Sequence, residues 1–258
     1  MSHESERRKP LRGKVAVITG GSRGIGRATA LALADRGANI VFSYFRRRAD
    51  AIEAEKAIEA KEVSVLSVRG NMGNPAHVEA LFEQTRKRFH HVDFVIHNAA
   101  TGDLKPVLEL NDEEWNRTLD INTRALLVIA RLAVPLMHGR HGRFVNISSH
   151  GAGRCLPGYA AVGVAKAASE ALTRYIALEL APRGITANTV CAGTTDTWSL
   201  RGIPGHEKLL HEAKTRTPAG RIGTPDDIAR VVAFLCSDDA QWIVGQTIVA
   251  DGGHSLIA

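Results

Sequence analysis

The sequence predicts an α/β fold in one domain: a doubly wound parallel sheet with helices on both faces. Three observations carry that expectation. Short β-branched apolar runs alternate with longer helix-spaced patterns along nearly the whole chain, and strands that alternate with helices form parallel sheets covered on both sides. A glycine-rich stretch, TGGSRGIG, follows the first apolar run and opens the first helical pattern. No internal repeat, linker or low-complexity block divides the 258 residues, a length that suits one domain with a substantial buried core.

Taken in order, KVAVIT (14–19) reads as a buried strand and 24–36 as a helix of small and apolar residues. ANIVFSY (38–44) is the second strand, 50–60 a charged helix and VSVLSVRG (63–70) the third strand. A helix over 75–89, the strand VDFVIHNAA (92–100) and a long helix from about 112 to 137 follow. Then come GRFVNISS (142–149), a helix from about 157 to 180, and GITANTVCAG (184–193). An irregular excursion over about 194–221, holding a helical piece at 206–215, has the length and Gly/Pro content (Gly202, Pro204, Gly205, Pro218, Gly220) of a lid. A helix beginning TPDDIARVVAFL (224–235) and the strand QTIVADGG (246–253) complete the pattern. Two helix starts are explicit. Thr224 is an N-cap before Pro225, Asp226 and Asp227, and Asn111 has Glu114 placed for a capping box. Residues 1–12, MSHESERRKPLR, read as a flexible polar tail without the apolar core of a secretory signal, leaving 13–258 as the domain.

Composition excludes several classes. No apolar run reaches membrane-spanning length, and three scattered cysteines (Cys155, Cys191, Cys236) form neither a disulfide framework nor a metal cluster, which suits the cytoplasm. Eleven histidines show no metal-ligand spacing, so no metal is expected. Net charge is +6, from 33 basic and 27 acidic residues, which favours anionic partners. Aromatic residues make up only 5% and no nucleic-acid module is present, so nucleic acid is not the expected partner.

The glycine-rich turn points to a dinucleotide. Gly20, Gly24 and Gly26, spaced TGxxxGxG between strand and helix, let backbone approach a pyrophosphate at a helix N-terminus. An NAD-binding chain usually carries an acid at the end of the second strand, and here FSYFRRR has none before Asp50. Arg23 and Arg46 suit a 2′-phosphate instead, which makes NADPH the expected cofactor; Arg47 and Arg48 read as a solvated charge run.

TGGSRGIG, HNAA (97–100), INT (121–123), NISS (146–149) and a tyrosine–lysine helix together resemble the short-chain dehydrogenase/reductase family, from residue 14 to 253. The resemblance implies a single Rossmann-like domain, a homotetramer built on the two long helices, and a lid that covers the substrate. It also implies that Ser22, Arg23, Gly24 and Ile25 line the pyrophosphate and ribose. Asn71 and Met72 would flank the adenine, although an acid is more usual at 71. Asn98 would sit near the adenosine ribose, and Asn122 would kink the long helix. Most members of the family show Tyr-x-x-x-Lys; this chain has Val162 there and Tyr159 seven residues before Lys166. That spacing resembles the enoyl-acyl-carrier-protein reductases, nearest the NADPH-dependent type III subgroup, as do AATGDLKPVLEL, RTPAGR and GQTIVADGGHSL.

The spacing has a chemical reading. On a helix, 159, 162 and 166 share a face, with Tyr159 about one turn earlier than the usual tyrosine, roughly 4–5 Å along the axis. A ketone accepts hydride on the carbon that bears its oxygen, whereas an α,β-unsaturated thioester accepts it two carbons from that centre while charge still grows on oxygen. A donor belongs where the charge develops. Tyr159 is the expected donor to an enolate oxygen, Lys166 the holder of the nicotinamide ribose and the charge that eases proton donation, and Ser149 a second contact to the substrate oxygen. The expected substrate is a trans-2-enoyl thioester on acyl carrier protein or coenzyme A, in fatty-acid or polyketide-type metabolism. Arg201, Lys208, Lys214 and Arg216 suit an acidic carrier or a coenzyme A phosphate, though for any single one an ordinary solvated face suffices. Two alternatives remain: a carbonyl or 3-ketoacyl reductase using Tyr159, and a catalytically silent NADP(H)-binding sensor in which Tyr159 only packs.

Overall fold

The computed structural model describes residues 9–137, 139, 141–201 and 206–257, and only the backbone of Lys208 and Leu209. Seven parallel strands lie in the order β3-β2-β1-β4-β5-β6-β7. They are β1 (Val15–Ile18), β2 (Asn39–Tyr44), β3 (Val65–Arg69), β4 (Phe94–His97), β5 (Arg143–Ser149), β6 (Thr186–Ala192) and β7 (Thr247–Ala250). The order reverses between β1 and β4, which are paired through Ala16–Phe94, Val17–Val95 and Ile18–Ile96. Ligands of open α/β sheets bind outside the carboxyl ends of the strands at such a reversal.

Strand alternation sorts the core onto two faces. Ala16, Ile18, Ile40, Phe42 and Ile96 face α1 (Gly24–Asp35), α2 (Arg48–Glu59) and α9 (Pro225–Leu235), meeting Leu33, Ile58, Ile228 and Val232. Val15, Val17, Val41, Val95 and Phe144 face the other way, onto Val78, Leu81 and Phe82 of α3 (Pro75–Phe89) and Leu126 and Ile129 of α5 (Ala125–Ala133). Burying each such side chain is worth about 1.5–3 kcal/mol. A polar residue on either face of β1 would lose that burial, and the strand reads as one continuous apolar run.

The expected elements are present, with four differences. The long helix is broken: α4 (Asp112–Leu119) passes through a π-helical turn (Asp120–Arg124) into α5, which ends in a 3₁₀ turn (Val134–Met137). Asn122 causes the break. Its Nδ2 donates to the Thr118 carbonyl (2.8 Å), the acceptor of an ordinary i→i−4 bond, and to the Thr101 carbonyl (2.6 Å). The helix expected from 157 starts at Ala160 and continues to Leu180 (α6), with Tyr159 as its N-cap. The excursion after β6 holds a short helix the sequence pattern does not signal, α7 (Trp198–Arg201), before α8 (His206–Arg216). Its residues 202–205, including Gly202, Pro204 and Gly205, and the Lys208 side chain lie outside the described residues. Finally, part of the segment read as a tail is held. Leu11 is buried in the core and donates its N–H to Arg36 O, while Lys9 reaches Lys61 O and Glu62. The apolar leucine between charged neighbours outweighs their polarity; residues 1–8 lie outside the described residues.

Both capping boxes are formed, at Asn111–Glu114 and at Thr224–Asp227. Asp227 also takes a bidentate bond from Arg221 (2.6 and 2.9 Å), which ties the end of the excursion to α9. Replacing Thr224 by alanine removes the cap acceptor and is expected to lower stability by about 1 kcal/mol, read as a melting temperature lower by about 2–4 °C.

Candidate active site

The turn after β1 is built by close backbone approach. Gly20 N donates to Ser43 Oγ (3.1 Å) and Gly21 N to Ser43 O (3.0 Å), anchoring the turn to β2. Asn98, just after β4, donates from Nδ2 to Thr19 O (2.9 Å) and Gly20 O (3.1 Å), while the Thr19 hydroxyl accepts from Asn98 N and Ala99 N. A Cβ on Gly26 would stand 2.3 Å from Gly20 O and 2.6 Å from Asn98 Nδ2, so only glycine lets α1 begin this close to the turn. The N-terminal N–H groups of α1 consequently face the crevice, where an anionic pyrophosphate is favoured. Ser22 is buried in the turn and Ile25 leans on the core.

The arginines near this turn lie over aromatic rings. Arg23, the N-cap residue of α1, lies with its Cζ 3.9 Å from the ring centre of Trp198 on α7. Arg47, read as solvated, is exposed and stands over the same ring at 4.6 Å, and Arg46, also exposed, lies over Phe45 at 5.5 Å. Burial lowers the Arg23 pKa, nearby Asp50 opposes that, and Arg47 adds to it. Arg23 Nη1 is buried without a hydrogen-bond partner, and no acid stands between Tyr44 and Arg48. This corner fits the 2′-phosphate of NADP better than a bare ribose. Farther along, Asn71 Oδ1 accepts from Gly73 N (3.1 Å) and the Met72 side chain is buried under α3, so Met72 offers an adenine its backbone rather than its side chain.

The catalytic half lies where β5 meets α6. Tyr159 has φ −108° and ψ 10°, so it stands at the helix mouth rather than on the helical stripe with Lys166. Its hydroxyl is 3.1 Å from Ser149 Oγ. A Cβ on Gly151 would lie 2.4 Å from both Cδ1 and Cε1 of Tyr159, so the ring rests directly on the turn after β5. Position 162 is filled by other packing: a Cβ on Gly102 would lie 2.1 Å from Val162 Cγ2. The loop after β4 thus occupies the room that a tyrosine at 162 would need.

Lys166 is buried and donates from Nζ to Ile147 O (2.7 Å). Desolvation brings its pKa down to about 8, with Glu170 opposing. Burial raises the Tyr159 phenol pKa, with the Ser149 hydrogen bond opposing. Tyr159 is held neutral and shares a hydrogen bond with Ser149, and Ser148 donates to Glu170 on α6.

Some residues of this site escaped the sequence reading. His97 is buried, its Nε2 donating to Asn122 O (3.1 Å), with Nδ1 unpartnered. His150, next to Ser149, donates from Nε2 to Asp251 (3.0 Å) and stacks on His254. Trp198 and Arg47 complete the group. His97 lay within the quoted HNAA, and a tryptophan in a polar excursion was a usable signal; the pairing of His150 with Asp251 had none.

A family model described as enoyl-(acyl carrier protein) reductase matches residues 20–255. The chain belongs to the short-chain dehydrogenase/reductase family. It is an oxidoreductase of that family, and the nicotinamide cofactor supported by the turn and its arginines is NADPH. A 1-cyclohexenylcarbonyl-CoA reductase from Streptomyces collinus is 38% identical over 96% of this chain and 89% of that protein. The hydroxynaphthalene reductase arp2 of Aspergillus fumigatus is 36% identical over 92% and 90%. A short-chain dehydrogenase from Burkholderia cenocepacia, solved in complex with NADP, superposes with a TM-score of 0.89 at 31% identity, over 95% of this chain and 99% of that one. A Serratia marcescens short-chain dehydrogenase/reductase variant gives 0.90 at 33%, with the same coverage. No helix among the described residues is long and apolar enough to cross a membrane.

Two outcomes are expected. Gly151→Ala pushes the Tyr159 ring off its seat and should lower kcat by on the order of 10²-fold, with NADPH affinity by calorimetry within about twofold of wild type. The second concerns His97, whose pKa burial brings down from 6.5 to about 4. Across that window the unfolded chain binds a proton that the folded chain refuses. Stability is therefore full above it and falls as pH drops through it, by on the order of 3 kcal/mol. Urea titrations across the window measure the loss, and His97→Asn, which keeps a donor for Asn122, should make it smaller by that amount.

Proposed function

We propose that this enzyme reduces the C=C bond of trans-2-enoyl thioesters with NADPH. The observation that carries the reading is the phenol of Tyr159, held at the mouth of α6 beside Ser149 while Val162 is closed off by Gly102. When bound, NADPH supplies a hydride to the β-carbon of the alkene. The electron pair of the C=C bond then moves toward the thioester, and negative charge grows on its oxygen. Tyr159, neutral and raised in pKa, donates a hydrogen bond to that oxygen, with Ser149 beside it as a second donor. Lys166 spends one of its three N–H donors on Ile147 O and keeps two for the ribose hydroxyls. A proton from solvent then adds to the α-carbon of the enolate, whose C=C electron pair forms the new C–H bond as the thioester carbonyl re-forms.

On the cofactor side Gly20, Ser22, Gly24, Ile25 and Asn98 cradle the pyrophosphate and ribose, Asn71 and the Met72 backbone border the adenine, and basic side chains after β1 and β2 take the 2′-phosphate. The substrate is an acyl-carrier-protein or coenzyme A ester of fatty-acid or polyketide-type metabolism, met in the cytoplasm by a homotetramer. The Streptomyces relative, named for an unsaturated acyl-CoA, supports the thioester class. The hydroxynaphthalene reductase relatives favour a second reading, a carbonyl reductase acting through the same Tyr159.

NADPH oxidation with crotonyl-CoA and acetoacetyl-CoA separates these readings. Turnover of the enoyl ester alone is expected, turnover of the keto ester alone supports the second, and turnover of neither leaves a silent cofactor-binding protein. In Tyr159→Phe, kcat should fall by about 10²–10³-fold with NADPH affinity retained. Unchanged turnover removes Tyr159 from the mechanism.

A further inference from the structure

We propose that His97 and Asn146, side by side on β4 and β5, together bind one buried water behind Lys166 and through it position the lysine ammonium. The proposal deepens the reading of Lys166 as the holder of the nicotinamide ribose, and its consequence for the cofactor rests on that reading.

The two side chains are register partners. His97 pairs with Asn146 across the parallel strands, so both project from one face of the sheet. Both are buried, and each keeps one polar atom without a partner among the described residues: Nδ1 of His97 and Oδ1 of Asn146. The bonds that they do make fix the character of those atoms. His97 Nε2 meets the Asn122 carbonyl, which can only accept, so Nε2 carries the hydrogen. Burial, and then the Lys166 charge, keep the imidazole neutral, so Nδ1 is a bare lone pair. Ser169 donates its hydroxyl hydrogen to Lys166 O (2.9 Å) and therefore accepts from Asn146 Nδ2 (3.1 Å), which leaves Oδ1 as an acceptor as well.

Two neighbouring acceptors cannot satisfy each other, and an unmet buried acceptor is destabilising. A water has two hydrogens to donate, one to each, and a polar buried position with two such partners is one that water fills. Held by both hydrogens against the strands, it turns its oxygen toward the helix layer. Lys166 of α6 is at hand there. Its Nζ bonds the carbonyl of Ile147, the residue after Asn146, and its charge is felt at His97. The negative side of the water favours the ammonium over the neutral amine. Glu170 on α6 and Cys191 on β6 also act on Lys166 and favour its charged form. The π-helical turn, joined to α6 by the Thr123 hydroxyl on Ala165 O (2.7 Å), carries Asp120 and Arg124, which bond each other at 3.0 Å.

A high-resolution crystal structure tests the water, and should show one within about 2.7–3.2 Å of both His97 Nδ1 and Asn146 Oδ1. The positioning role is read from the alkaline titration of Lys166, followed by carbon NMR of its side chain. Asn146→Leu removes one acceptor while Ser169 keeps its bond to Lys166 O, and the Lys166 midpoint should fall by roughly one pH unit. His97→Phe should do the same, and His97→Asn, which retains a donor and an acceptor, should restore the midpoint. A structure without that water overturns the inference. So does an unchanged midpoint in Asn146→Leu, which decides the matter even where His97→Phe does not fold. The ribose reading is tested apart, by NADPH affinity near the wild-type Lys166 midpoint of about 8. There Asn146→Leu should bind NADPH about fivefold more weakly, following the fraction of ammonium. A shifted midpoint with NADPH affinity unchanged overturns the ribose reading and leaves the water and its effect on Lys166 in place.

Discussion

The Tyr159 ring rests on a backbone turn that has no side chain of its own at Gly151, and the rest of the catalytic half is arranged around that contact. The same turn crowds the first turn of α6, where a Cβ on Gly163 would lie 2.7 Å from Gly151 O. Two glycines thus let strand end and helix start approach until Ser149 and Tyr159 share a hydrogen bond. On the other side, the loop at Gly102 takes up the space beside Val162. The seven-residue spacing from tyrosine to lysine is therefore one part of a packed set. A tyrosine restored at 162 would meet the loop after β4, and a side chain at 151 would meet the ring.

Burial gives the two halves of the site different electrostatic characters. Around α6, Lys166 and His97 are enclosed and pulled toward their neutral forms, and Tyr159 is held protonated. These groups hold and donate hydrogen bonds more readily than they carry charge. The cofactor corner is the reverse, with two guanidinium groups over one indole, Arg23 partly exposed and Arg47 exposed, and one acid, Asp50, 3.8 Å from Arg23. A dianion belongs in the second and a developing enolate in the first. The sheet reversal between β1 and β4 lies between them in the strand order.

Much of the fold was legible because strands buried on both faces leave unbroken apolar runs, and because Asn111 and Thr224 mark helix starts with side-chain chemistry. The glycine-rich turn was legible for a similar local reason: its close approaches need glycine at fixed spacing. What stayed hidden depends on contacts between distant segments. Leu11 looked like part of a polar tail until its seat against Arg36 was seen. Asn122 was expected to kink its helix, but not to do so by taking Thr118 O while lending its own carbonyl to His97. Arg47 and Trp198, far apart in the chain, meet only in the fold. For Tyr159, Pro157 and Gly158 signalled a helix mouth, whereas nothing local told that Lys166 would turn to Ile147 O.

The account stands on where one phenol oxygen lies when the crevice is filled. A crystal structure of the ternary complex with NADP⁺ and a saturated acyl thioester measures it directly. The account predicts the Tyr159 hydroxyl about 2.7–2.8 Å from the thioester oxygen, with the β-carbon rather than the carbonyl carbon over nicotinamide C4. A hydroxyl turned away from the thioester, or a carbonyl carbon stacked on C4, would contradict it.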